Sequence, residues 1–262
     1  SEMCIRDRHI HTLAIECEQL RRFGEISTWD TSLVEDMSEL FLLKTEFNDD
    51  INDWNTSNVR NMSYMFYNNQ SFDGDLSNWN TSSVTNMSRM FEDARAFTCD
   101  GQDLNSWNTS SVTNMSKMFF RAHNFNQAIG SWDTSSVTDT SYMFNNADSF
   151  NQNIGNWNTS NVQNMQQMFD RAYSFNNGDP AGSSGTPLNS WDTSNVTNMG
   201  SMFWRANSFN QDIGDWDVTN VTRDKFGSMF TQGSGPGGSN IMRFDRDIST
   251  WCVEHISPDP TD

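Results

Sequence analysis

The chain has 262 residues and a formal net charge of -18, and Leu, Ile, Val and Phe together make up less than a fifth of it. That balance alone suggests a disordered chain, and the acidity disfavours nucleic acid or an anionic membrane as partner. The 15 Met and 10 Trp change this expectation, because nearly all of the large apolar side chains recur in register.

Residues 1–9, "SEMCIRDRH", fit no part of any repeat. They read as a non-native leader similar to translated sequencing-adapter sequence, to be set apart from fold reasoning. Residues 10–28 are expected to form a capping helix and a half-repeat. From Trp29 a single array runs to Trp251, with anchors at Trp29, Trp54, Trp79, Trp107, Trp132, Trp157, Trp191, Trp216 and Trp251. The spacing is 25 residues wherever no insertion intervenes, and a period in this range marks a repeat array. Residues 252–262 form a tail.

Aligned copies separate constant columns from variable ones. Val follows each anchor by five residues (Val59, Val84), then come Met (Met62, Met87), Met-Phe (Met65-Phe66, Met90-Phe91), a second Phe (Phe72, Phe97) and an Ile or Leu (Leu76, Ile129). Thr140 interrupts the first Met column. A lone repeat cannot bury enough of these side chains to fold, so neighbouring copies must stack. Met62, Met65 and Phe66 at i, i+3 and i+4, preceded by Asn61, predict a helix of about two turns with an Asn N-cap. The segment "FNQDIGDW" at 209–216 predicts a short strand, paired in parallel with its copies.

The repeat V-T-x-M-x-x-M-F-x-x-A-x-x-F-N-x-D-I-x-x-W-D-T-S resembles the tandem 25-residue units of BspA-like leucine-rich-repeat surface proteins, over about residues 24–251. The resemblance implies an α/β solenoid of leucine-rich-repeat type, about eight coils with one short strand and one short helix each, the parallel strands stacked into one sheet. It also implies a cell-surface or extracellular location and a role in adhesion or interaction. Two extra residues in "VTRDKFGSMF" predict an irregular last coil.

No nucleophile, base and orienting group stand at a recognisable spacing, which points to a non-enzymatic chain without a cofactor. The column after each Trp alternates Asp and Asn (Asp30, Asn55, Asn80, Asp133). That exchange favours hydrogen-bond capping over calcium ligation, and calcium remains open only at Asp49, Asp50 and Asp53. The following Thr column (Thr31, Thr56, Thr81) raises an ice-binding reading, outweighed by a turn role. Ten Asn-x-Ser/Thr sequons are by-products of the repeat, with Asn69 on a variable position the best exposed candidate for glycan. The cysteines, Cys4, Cys17, Cys99 and Cys252, share no repeat position and predict no disulfide. No apolar run approaches the roughly 20 residues of a membrane span.

Function should therefore lie in the variable columns. Just past Met-Phe they hold Tyr67, Phe120, Arg121, Arg171, Trp204 and Arg205, with Tyr64 and Tyr142 three residues back. In neighbouring coils these would either form an aromatic and cationic stripe on the helix side that binds a surface protein or glycan, or merely shield the helices. The rival expectation is a purely structural or calcium-stabilised extracellular array. The insertions at 98–103, 176–187 and 231–240 are further candidates for binding loops.

Overall fold

The computed structural model describes residues 24–99, 102–178, 186–230 and 244–251. The expected leader, capping helix and tail, most of the 176–187 and 231–240 insertions, and Cys4, Cys17 and Cys252 lie outside the described residues.

The expected helix-and-strand architecture does not form. Among the described residues there is no strand, the one α-helix is the single turn Arg223–Phe226, and the other helices are 3-10 turns at Ile26–Thr28, Leu104–Ser106 and Leu188–Ser190. Parallel pairing is confined to isolated one-residue bridges running Asp36, Asn61, Asn86, Asn114, Asp139, Asn164, Asn198 from coil to coil. The α/β solenoid with a helix in each coil and one stacked sheet is thus overturned: the coils stack, but they are built of turns.

The hydrogen bonds explain why. In the Met-Phe segment, alternate N–H groups leave the coil: those of Met62, Tyr64, Phe66 and Asn68 donate to the carbonyls of Asn86, Ser88, Met90 and Glu92 in the next coil. The N–H groups between them close i to i−3 turns, as Met65 does on Met62 and Tyr67 on Tyr64. The residues 10 and 14 positions after Trp have φ between 52° and 60° (Tyr64, Asn68, Lys117, Arg121, Tyr142, Asn146). An α-helix cannot contain a left-handed residue every fourth position. Met62, Met65 and Phe66 still share one inward face and are fully buried, so the i, i+3, i+4 pattern identified the face but not the backbone that makes it.

The core is three continuous aromatic columns. Tryptophan rings stack from Trp79 to Trp107, Trp132, Trp157 and Trp191 at 6.2–6.5 Å. The first Phe of each coil stacks on its copies (Phe91 to Phe119 at 5.6 Å) and on the second Phe of its own coil (Phe91 to Phe97 at 4.0 Å). The indole N–H of every anchor after Trp29 donates backward, as Trp132 Nε1 does to the Leu104 carbonyl at 2.8 Å and Trp157 Nε1 to that of Ile129 at 3.0 Å. Thr140, where a Met was expected, is buried and also donates to the next coil's Asn164 carbonyl.

The polar columns are ladders. The Asp or Asn after each Trp accepts the N–H two residues on: Asp30 from Ser32, Asn55 from Ser57, Asn80 from Ser82 and so on to Asp217 from Thr219. The Ser135 and Thr219 hydroxyls, and after them these N–H bonds, hold the carboxyls of Asp133 and Asp217 below the usual range. Asn61 and its copies do the same for the next turn, capping a turn rather than a helix. Each Thr hydroxyl donates to a carbonyl of the next coil, as from Thr134 to Asn158 at 3.0 Å, and the column is buried, which removes the ice-binding reading. The two extra residues before Met229 are taken up in the turn Arg223–Phe226, so that Phe203 still donates to Met229 in register.

Candidate functional site

The turns that replace the helix set the geometry of the outward face. With Met62, Met65 and Phe66 turned inward, residues 10 and 14 positions after each Trp lie at the surface, the residue at position 13 is half-buried (Tyr67, Phe120, Trp204) or buried (Glu92, Asn145, Asp170), and each stands beside its copy one coil away. All eight predicted stripe residues fall in these columns. Tyr64, Tyr67, Phe120, Tyr142, Arg171, Trp204 and Arg205 are half-buried and Arg121 is exposed.

They gather in three clusters. In the second coil the Tyr64 and Tyr67 rings lie 5.7 Å apart, and the Arg89 guanidinium of the next coil sits 5.0 Å over Tyr64. In the fourth and fifth coils Phe120 and Tyr142 meet at 6.4 Å. Lys117 Nζ lies 5.6 Å over the first ring and 4.9 Å over the second, and Arg121 lies 5.2 Å over Phe120. In the sixth and seventh coils Arg171 and Arg205 both lie over the Trp204 ring, at 4.5 and 4.3 Å. A cation over a ring face contributes about 0.5–2 kcal/mol and fixes a long side chain that would otherwise sample many rotamers.

Sequence reasoning missed Arg89 and Lys117, although they occupy the column of Tyr64 and Tyr142. It also missed the carboxylates beneath the cations. Glu92 is buried and pairs with Arg89 at 3.5 Å; burial, opposed by Arg89 and Lys117, pushes its carboxyl up. Asp170 is buried and accepts from Asn145 at 3.1 Å, and burial, opposed first by Arg171, pushes it up to about 6. Asp93 sits between Arg95 at 2.8 Å and Arg121 at 3.9 Å.

Other candidates fare differently. Asn69 is fully buried and accepts from the Ser71 and Phe72 N–H groups, so the best-exposed sequon is not exposed; Ala fills its column in five other coils, a signal that was available. Asp49, Asp50 and Asp53 form no metal-holding group among the described residues, and the Asp50 carboxylate accepts the Asn52 N–H. Cys99 is a buried thiol whose Sγ donates to Gln102 Oε1 at 3.2 Å. His123 Nδ1 lies 2.9 Å from the Asp148 carboxylate. Among the described residues no helix is long and apolar enough to cross a membrane.

Constant ladders inside and a variable aromatic-cationic stripe outside define a tandem-repeat protein whose surface, not its core, differs from coil to coil. The chain belongs to the family described as Mycoplasma protein of unknown function, DUF285, whose model matches it three times in succession, at residues 11–102, 98–183 and 179–258. No curated protein matches it. Nor does any solved structure.

Proposed function

We propose that the chain is a non-enzymatic cell-surface or secreted repeat protein that binds a surface protein or glycan, in adhesion or a related interaction, through the stripe from Tyr64 to Arg205. One observation carries this reading. The columns that vary most between coils are the ones where aromatic rings and guanidinium groups, the side chains that dominate binding surfaces, stand together at 4.3–6.4 Å. Elsewhere the repeated letters are occupied in holding the stack, as the Thr and Asp/Asn ladders are. The resemblance to BspA-like surface proteins and membership of a tandem-repeat family agree with it, and each carboxylate of the Asp/Asn column uses one oxygen to accept a backbone N–H group.

Labelled protein incubated with intact cells tests the reading. Saturable binding, competed by unlabelled protein and reduced by stripping surface proteins or glycans, is the expected result. Uptake that neither saturates nor competes would refute it.

A further inference from the structure

The stripe holds a disproportionate part of the chain's positive charge. Between residues 61 and 222 there are six Lys and Arg residues, and all six (Arg89, Arg95, Lys117, Arg121, Arg171 and Arg205) stand in the three stripe columns or the column two residues beyond them. Of the 15 Asp and Glu residues in the same span only four, Glu92, Asp93, Asp148 and Asp170, share that face. A strongly acidic protein therefore presents one face with more cations than carboxylates. Arg89 is engaged by Glu92, and Arg95 and Arg121 by Asp93. Lys117, Arg171 and Arg205 have no ion-pair partner among the described residues.

We propose that this face binds a linear acidic glycan, its sugar rings lying along the half-buried aromatic side chains and its carboxylate or sulfate groups meeting Lys117, Arg171 and Arg205. The proposal rests on the binding role assigned to the stripe and names its ligand class. Arg171 and Arg205 lie over the Trp204 ring at 4.5 and 4.3 Å, and a guanidinium that stacks on a ring can still offer N–H groups to a bidentate anionic group. Coils follow one another at about 4.8 Å, so Lys117 and Arg171, two coils apart, are separated by roughly 10 Å along the stack. Between them stand neutral hydrogen-bonding groups: the Tyr142 hydroxyl, the Asn146 amide and Gln167. Spaced charges with hydroxyl-matching groups between them suit a chain of sugars that is charged at intervals. A nucleic acid, with a charge on every unit, would be repelled by the remaining acidic surface. An extended acidic peptide binds best by adding to a free backbone edge, and along the stripe the alternate N–H groups of Tyr64, Arg89, Lys117, Tyr142 and Gln167 are all engaged by the next coil.

The test uses a fluorescein-labelled octasaccharide of alternating uronic acid and N-acetylhexosamine, its carboxyl-reduced neutral counterpart, and an oligoglutamate of equal charge. The expected result is saturable binding of the acidic octasaccharide that weakens with salt, with the neutral chain and the oligoglutamate each at least about tenfold weaker. Changing Arg171→Asn and Arg205→Asn together should weaken the acidic chain by about tenfold or more. Asn68 and Asn146 occupy the same left-handed column, so the double variant should fold, its melting temperature lowered by the two cation–ring contacts over Trp204 that it loses. Arg60→Asn, off the stripe, should bind like the parent. Equal binding of the neutral chain would overturn the acidic ligand while leaving the stripe as a binding surface. Tighter oligoglutamate binding would assign it to an acidic protein instead. No binding of the acidic chain by a protein that still binds cells, or undiminished binding by the double arginine variant, would overturn the proposal. Loss of cell binding by the parent would instead refute the proposed function.

Discussion

Replacing Trp132 by Phe removes an indole N–H from the middle of the stack and one of the two donors to the Leu104 carbonyl, 2.8 Å away in the parent; the Trp107 backbone N–H, at 3.1 Å, remains. Loss of one such hydrogen bond costs about 0.5–1.5 kcal/mol. The smaller ring also loses part of its contact with Trp107 and Trp157, at 6.2 and 6.4 Å, in a site only 3% exposed; a partly collapsed void of that kind adds about 1 kcal/mol. The expected loss is about 1.5–2.5 kcal/mol. Trp29 supplies the internal control. It is the first anchor, is only half-buried, stacks on Trp54 at 6.4 Å, and its Nε1 has no hydrogen-bond partner among the described residues. Trp29→Phe should therefore cost less than about 1 kcal/mol. Urea unfolding followed by circular dichroism measures both, with an unchanged m-value as the sign that the unfolded states are comparable. Equal destabilisation by the two substitutions would show that ring size alone matters and that the indole-to-carbonyl ladder is not a structural bond.

Three further outcomes follow from the same geometry. Asp170 has a folded pKa raised from 3.8 to about 6, so the folded state keeps a proton that the unfolded chain releases, and stability falls as pH rises from about 4 to 6. Asp170→Asn, matching Asn145 one coil earlier, should raise the melting temperature at pH 7.5, by about 2–4 °C for each kcal/mol relieved. The gain should vanish near pH 3.5, and a gain of equal size at both pH values would contradict the assignment. A Cβ at Gly155 would overlap the Thr186 carbonyl, whereas at Gly200 it would stay 3.4 Å from its nearest neighbours. Gly155→Ala should thus destabilise by about 2 kcal/mol or more and Gly200→Ala by well under 1 kcal/mol in thermal or urea melts. Millimolar calcium followed by chelator should leave the melting temperature unchanged, because the Asp/Asn column is committed to backbone N–H groups; a shift of many degrees would restore the calcium-stabilised reading.

Register was legible in the letters and backbone conformation was not. Trp, Val, Met and Phe recur at fixed offsets because each packs against its own copy, so periodicity alone identified the inward columns, Met62, Met65 and Phe66 among them. The free exchange of Asp and Asn after each Trp correctly signalled a hydrogen-bonding oxygen. The helix failed because i, i+3, i+4 spacing is also produced by successive turns whose alternate N–H groups serve the neighbouring coil. Residues held at φ near +57° normally advertise themselves as Gly or Asn, yet the first such column reads Glu39, Tyr64, Arg89, Lys117, Tyr142, Gln167, Ser201. The carbonyls of the next coil fix that conformation, and they come from residues about 25 positions away. The strand failed for a related reason: in "FNQDIGDW" side chains do the cross-coil pairing, as Asn176 does for the Asn210 N–H, and no backbone ladder is left to form. On the surface, the stripe was legible because its letters break the repeat. The buried Glu92 and Asp170 were not, since a carboxylate in a variable column looks solvent-exposed until its neighbours are placed.

The division between constant letters that hold the stack and variable letters that meet a partner is tested most directly by one variant measured two ways. Tyr64, Tyr67, Phe120, Tyr142 and Trp204 are replaced by Ser and Arg121, Arg171 and Arg205 by Asn, and melting temperature and cell binding are recorded beside the parent. The account predicts a variant that still folds cooperatively, with its melting temperature lowered by the cation–ring contacts it loses, and loss of saturable binding. Retained binding, or a chain that no longer folds, would contradict it.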